Sequence, residues 1–233
     1  MQLPFTVDQF FDVFRAYNTS VWPAQVLLIA LAAVAIAAAL FPRRWSGVAI
    51  SAVLAVLWAW SGLAYHLAFF AAINPAAYVF AAVSLAGAGA FLWHGVVRRR
   101  LVFKVVPSTR TTTGGALIVF ALVAYPAWSH FAGHPYPTMP TFGLPCPTTI
   151  FTVGMLSFLS APYPRSPLVV PVLWCFVGAQ AAVLFGVTQD LMLAVAAVLG
   201  IALLVTSNAA TPPGRVLPEA AGSAPDTRSK KAG

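Results

Sequence analysis

Charge is scarce in this chain. Of 233 residues only 8% are charged and five are acidic, whereas soluble domains carry roughly 25% charged residues. With 60% of residues hydrophobic and a mean hydropathy of +0.85, this excludes water as the main solvent. Cysteine is also scarce, with two in the chain, and neither belongs to a CxxC or CxxCH motif. HExxH, GxSxG, a nucleotide fingerprint and paired carboxylates within the apolar runs are missing too, so the common catalytic signatures are absent. The lysines are Lys104, Lys230 and Lys231; none lies in the last apolar run, which excludes a retinal Schiff base there. No basic stretch precedes the first apolar run, so no cleavable signal peptide is expected.

What is present is a series of apolar runs. Seven segments of 15 to 25 residues, five of them with at least 18 and so about long enough to cross ~30 Å of hydrocarbon as helices, fall at Pro23–Phe41, Gly47–Ala71, Pro75–Val97, Gly114–Phe131, Pro147–Ala161, Pro167–Val187 and Leu191–Thr206. The fifth is the shortest. The net charge of +8 could indicate nucleic acid, but that partner needs cations along one exposed face. Here they stand in short clusters between apolar runs, so the expected partner is the lipid bilayer and no nucleic acid is expected.

The clusters also orient the chain. Arg43 and Arg44, Arg98, Arg99, Arg100, Lys104 and Arg110, Arg165, and then Arg215, Arg228, Lys230 and Lys231 all fall on one side of a seven-span arrangement, and the other side keeps only Arg15. The positive-inside rule reads this as N-terminus out and C-terminus in. The expected fold is therefore an all-α integral membrane protein of seven transmembrane helices. Residues 1–22 form an outer interfacial helix, 23–208 the transmembrane domain and 209–233 a Pro/Ser/Ala-rich cytoplasmic tail predicted to be disordered.

In the outer helix Val7, Phe10, Phe11 and Phe14 repeat at helical spacing behind a Thr6/Gln9 capping box. An interfacial anchor is the favoured role and a lid over an outer cavity the alternative. Val56–Gly62 (VLWAWSG) and Val172–Gly178 (VLWCFVG) share VLW and a glycine, each preceded by a Pro–Arg pair. That pattern fits a 3+1+3 parallel repeat, a transporter habit, although apolar helices share small alphabets. Ser84, Gly87, Ala88 and Gly89 are small enough to close-pack a bundle or to contact a second copy in a homo-oligomer; internal packing is favoured.

Reactive side chains gather at the outer level. His66 lies in the second segment, Asn74 at its end, His130 and His134 at the end of the fourth, Cys146 at the start of the fifth and Gln180 in the sixth; Asp190 joins the last two. An ionisable group in hydrocarbon costs roughly 2.5–3.5 kcal/mol when charged and so faces a bundle interior or a wet cavity. His66, Asn74, His134, Cys146 and Gln180 are thus the candidate ligand-binding residues, with simple hydrogen bonding between helices as the competing role for His66. His66, His130, His134 and Cys146 include metal- and haem-ligand types, but without ligand spacing, and the expectation is no cofactor. Residues 133–154, GHPYPTMPTFGLPCPTTIFTVG, carry Pro135, Pro137, Pro140, Pro145 and Pro147, which exclude helix until about Pro147. The stretch is either a rigid outer cap, the favoured reading, or a re-entrant segment presenting Cys146.

YHLAFFAAINPAAYVF together with GHPYPTMPTFGLPCPTTIFTVG resembles a family of bacterial multi-pass membrane proteins known only as a domain of unknown function. The likeness extends from MQLPFTVDQFF and VWPAQ over most of the apolar region and stops at the tail. It implies the bacterial cytoplasmic (inner) membrane but transfers no activity. Some members carry a permease label, which seven spans do not support as a twelve-helix major-facilitator fold. Transport or binding of a small solute leads; a metal-, haem- or Cys/His-dependent redox enzyme and a non-catalytic sensor or assembly partner are the alternatives, with enzyme the less favoured.

Overall fold

A computed structural model of the chain describes residues 4–208. The tail predicted over 209–233, with Arg215, Arg228, Lys230 and Lys231, lies outside the described residues.

These fold into helices, which we number α1 (Val7–Val21), α2 (Ala24–Leu40), α3 (Ser46–Ala72), α4 (Ala77–Val97), α5 (Thr109–Phe131), α6 (Pro145–Leu156), α7 (Ser166–Leu184) and α8 (Thr188–Thr206). Among the described residues α3, α4, α5, α7 and α8 are long and apolar enough to cross a membrane, and the α1–α2 pair, bent by 85°, raises that number to six. Seven is not reached. The expected fifth span shrinks to α6, whose 12 residues extend about 18 Å at 1.5 Å per residue. It starts two residues earlier than expected because Pro145 and Pro147 occupy its first turn, where no intrahelical N–H partner is needed.

A helix apolar on all sides belongs inside protein, and α6 is there: every residue from Pro145 to Leu156 except Cys146 is buried. It touches α3, α5, α7 and α8. Close approach to α5 is made by glycines. A Cβ on Gly154 would lie 2.8 Å from the Gly114 carbonyl and 2.8 Å from Ile118 Cγ1, and one on Gly114 would overlap the Ser157 side chain. Polar groups in α6 turn inward: Thr149 Oγ1 donates to the Pro145 carbonyl (2.7 Å), while Thr152 Oγ1 donates to that of Thr148 (2.7 Å) and accepts from Trp58 Nε1 (3.1 Å).

The two ends of the bundle differ. At one, the Arg98–Val106 link runs beside the end of α6: Lys104 N donates to the Phe158 carbonyl (2.7 Å) and Ser160 N to that of Val102 (2.8 Å). Arg110 joins through the Leu159 carbonyl (2.6 Å), and Arg165 Nε donates to Ser207 Oγ (2.8 Å). We call this the basic end. At the other, α1 lies across the bundle.

The capping box is formed, with Thr6 N donating to Gln9 Oε1 (2.9 Å) and Gln9 N to Thr6 Oγ1 (3.2 Å). The apolar face of α1 does not point outward as an anchor would. Phe10, Phe11, Val13, Phe14 and Tyr17 are buried in one cluster with Tyr65, Phe70, Leu144 and Val187, leaving Val7 exposed. The apolar face is thus buried on the bundle, the packing that the lid alternative requires.

The proline-rich stretch departs from the simple cap. Asn18 of α1, fully buried, donates to the carbonyls of Pro137 and Met139 (2.7 Å each) and accepts from Thr141 Oγ1 (2.7 Å) and Gln25 Nε2 (3.1 Å). Beyond this clamp the chain turns inward at Gly143, with φ +102°, a value suited to glycine. Its carbonyl accepts from Ser61 in the interior of α3 (3.1 Å), and Phe142 and Leu144 are buried. Irregular backbone is tolerated at this depth because protein donors satisfy its carbonyls.

Ser84 and Ala88 are buried, and Gly87 packs beside Val170 of α7 and Trp58, whereas Gly89 faces open space. In the paired VLW segments, Trp58 donates to Thr152 of α6 whereas Trp174 packs beside Cys146 of α6 without a hydrogen bond, and the glycines Gly62 and Gly178 each lie against the following helix, α4 or α8.

Candidate functional site

The roof of α1, the inward-turned stretch and the ends of α3, α5 and α7 enclose a cavity of about 200 Å³. Its walls are aromatic. Phe5, Phe10, Phe14, Tyr65, Phe70, Phe80, Trp174 and Phe185 line it, and Phe10 stacks on Phe185 with ring centroids 4.4 Å apart, closing α1 against the end of α7.

Its polar groups stand on distorted helix. In α3, Ser61–Leu67 is π-helical and carries Tyr65 and His66 into the cavity; in α5, the π-helical turn Phe120–Ala124 directly precedes Tyr125. Single π-turns inside α-helices re-aim side chains and recur at functional sites. His66 is 1% exposed, and neither ring nitrogen has a hydrogen-bond partner. The ring is packed among Trp174 (centroids 5.0 Å apart), Tyr65 (5.2 Å) and Phe80 (5.6 Å). Trp174 Nε1 is likewise buried without a partner.

Opposite these lies a carboxyl group. Asp190, 2% exposed, accepts from Tyr125 OH (2.5 Å) and faces Cys146. The turn that holds it, Thr188–Leu191, is tied to α5 a second time by Trp128 Nε1 donating to Thr188 Oγ1 (3.1 Å).

Four of the five expected ligand-binding residues, His66, Asn74, Cys146 and Gln180, therefore line one cavity. Their contributions differ. Asn74 spends its Oδ1 on Ala76 N (3.0 Å) as an Asx turn at the start of α4. Gln180 is exposed and also borders a groove on the outer surface between α7 and α8. His134 is not in the cavity: its ring stacks on Phe11 with centroids 3.9 Å apart and an interplanar angle of 6°, on a residue of α1 that the cavity does not include. His130 is exposed beside Phe131.

The metal set of His66, His130, His134 and Cys146 is thus divided, and among the described residues no group of three or more His, Cys, Asp or Glu could hold a metal ion. A thiol–imidazole pair is not formed either, because the His66 nitrogens have no partner. Asp190, Tyr125 and Trp174 lie outside the expected site. For Asp190 a signal exists: it is the one acidic residue between Asp12 and Glu219, and a lone carboxyl in so long an apolar sequence marks a functional position.

No curated protein and no solved structure matches the chain. A family model matches residues 7–212, nearly its whole length, and the chain belongs to the family of unknown function DUF6064.

Proposed function

We propose that the protein is an integral membrane protein that binds a small neutral or cationic solute in the cavity beneath α1, as the first step of transport or ligand sensing. The observation that carries this is His66, an imidazole in the cavity wall, buried in aromatic surroundings with both nitrogens unpartnered. Such groups are rare because leaving one unmade costs on the order of 1–3 kcal/mol; a bound molecule that supplies the missing partner recovers that cost.

The cavity sets the ligand's size and sign. At about 200 Å³ it holds roughly the volume of six or seven liquid waters at ~30 Å³ each. No Lys or Arg lines it and Asp190 does, while aromatic faces attract cations through the ring quadrupole. Anions are disfavoured on both counts.

In this proposal the chain makes seven crossings of the bacterial cytoplasmic membrane, with α1 outside and the basic end in the cytoplasm. The short α6 completes one crossing with help from the inward-turned stretch before it and the buried link after it. The exposed Val, Leu, Ile and Phe side chains of the long helices fit hydrocarbon rather than water. The matched glycine contacts, Gly62 of α3 on α4 and Gly178 of α7 on α8, support the 3+1+3 repeat, and a site built where helices are interrupted is a feature of repeat transporters.

The test uses choline, ethanolamine, glycerol and acetate with the purified full chain in detergent, reading the apparent unfolding temperature and calorimetric heat. The expected result is stabilisation by at least one cationic or neutral probe, none by acetate, and loss of the response in His66→Phe and Asp190→Asn. Stabilisation by acetate alone, or a response indifferent to both substitutions, refutes the reading.

A further inference from the structure

The basic end contains a second recess, independent of the cavity under α1. It measures about 610 Å³ and is lined by Arg43 and Arg44 from the α2–α3 link and by Arg99 and Lys104 from the α4–α5 link. No carboxylate lines it. Among the described residues the ion pair is Arg15–Asp12 on α1, so these four cations have no acidic partner there. Four like charges around one hollow repel one another, and an anion seated among them relieves the repulsion.

The backbone that carries the cations is fixed. Leu101 and Phe103 are buried anchors on either side of exposed Val102. Arg100 N donates to the His94 carbonyl (2.8 Å) and Lys104 N to that of Phe158 (2.7 Å), and Arg43 N donates to Ser46 Oγ (2.8 Å). The Leu101 carbonyl lies against Gly47 so closely that a Cβ there would overlap it. Arg99 is held at φ +50°, a left-handed conformation that a non-glycine residue keeps only where its surroundings impose it.

The other walls are apolar, with Val48, Val102, Val105 and Val106 contributing. Trp45 and Trp93 are exposed at the same end, and the Arg98 guanidinium lies over the Trp93 ring 4.7 Å from its centroid. Cations for a phosphate, valines for a chain and tryptophans at the level of a membrane interface form one amphipathic surface. We propose that this recess binds the phosphate of an anionic phospholipid headgroup, with the acyl chains lying along the adjoining apolar helix surfaces. Free phosphate shares the headgroup's chemistry but makes no use of the valine wall.

Native mass spectrometry of the full chain in neutral detergent tests this, with phosphatidylglycerol, phosphatidylcholine and inorganic phosphate offered separately and in competition. Phosphatidylglycerol is expected to be retained at least tenfold more tightly than phosphatidylcholine and to resist millimolar phosphate. The triple variant Arg43→Gln, Arg99→Gln, Lys104→Gln loses on the order of a hundredfold, since each cation near an anionic surface contributes roughly fivefold; Arg98→Gln, outside the recess, changes little. Equal retention of the two lipids, an unaffected triple variant, or displacement by phosphate overturns the proposal. If the triple variant does not fold, the wild type decides: retention of phosphatidylglycerol, but not of phosphatidylcholine, must weaken as salt is raised, and salt-independent retention overturns it equally.

Discussion

Asn18 holds the roof of the cavity to the inward-turned stretch, and its removal is the most direct test of the architecture. Its side chain makes four hydrogen bonds: two donated to the Pro137 and Met139 carbonyls, two accepted from Thr141 and Gln25. A net hydrogen bond is worth about 0.5–1.5 kcal/mol, and each group left buried without a partner costs about 1–3 kcal/mol. Thr141 is only partly buried and Gln25 Nε2 keeps its bond to the Asn18 carbonyl (3.2 Å), so the full sum is not reached, and Asn18→Ala is expected to cost about 3–5 kcal/mol. For a chain of this size that lowers the unfolding midpoint by roughly 6–20 °C, at about 2–4 °C per kcal/mol. Asn18→Asp keeps the acceptor but turns a carboxylate toward two carbonyl oxygens and should be no better. Tryptophan fluorescence on heating in detergent gives the midpoint, and limited proteolysis with mass spectrometry shows whether cleavage within 132–144 becomes fast. Because Thr141 shares the hub, Asn18→Ala with Thr141→Val should cost less than the two single changes added. A midpoint shift under about 2 °C for Asn18→Ala, with the link still protected, would show that this clamp does not hold the stretch in place.

Further outcomes follow from the same geometry. His66→Phe removes two unpartnered nitrogens from aromatic surroundings and should raise stability by about 1–3 kcal/mol while abolishing the ligand response, as functional polar groups often compromise stability; a large loss of stability on heating would mean that His66 is structural. Tyr125→Phe deprives Asp190 of its 2.5 Å donor and should cost about 1–3 kcal/mol, with much less lost when Asp190→Asn is already present, a coupling that a double-mutant cycle measures. Gly114→Ala places a methyl group against the Ser157 side chain; a loss of about 3 kcal/mol or failure to fold is expected, partly rescued by Ser157→Gly, and a neutral result would contradict the close α5–α6 approach.

Helices were legible from apolar run length because hydrocarbon admits little else, and the Thr6/Gln9 capping box was legible because its chemistry is local. The role of α1 was not. Phe10, Phe11 and Phe14 make the same stripe on a helix that lies in lipid as on one that closes over protein, and only tertiary packing against Tyr65 and Phe70 separates the two. Likewise, depth puts His66, Cys146 and His134 in one layer, and although the first two line one cavity depth could not exclude the third, because residues at one depth can face different directions and the π-helical turns beside Tyr65, His66 and Tyr125 leave no pattern in composition. Length misled in the fifth segment: residues 157–161 are apolar enough to extend α6, yet Ser157 Oγ turns back to the Gly154 carbonyl (2.6 Å) and Leu159 joins the basic-end link.

The confinement of cations to one end has consequences beyond orientation. A cavity meant for a neutral or cationic solute must be free of Lys and Arg, and the one at the α1 end is; there Arg15 is occupied with Asp12 (3.4 Å) at the exposed surface. A recess meant for phosphate must be free of carboxylates, and the one at the basic end is. Between them α6, buried and uncharged, is about 18 Å long, and two unit charges that far apart interact by only about 1 kcal/mol at an effective dielectric constant of ~20. Electrostatic coupling between the two sites should therefore stay within about fivefold per charge pair unless α6 itself moves. An anionic lipid bound at the basic end that altered solute binding at the α1 end by much more than that would show a mechanical rather than an electrostatic link, and Gly114, Gly154 and Ser157, where α6 lies closest to α5, are where that link would be broken first.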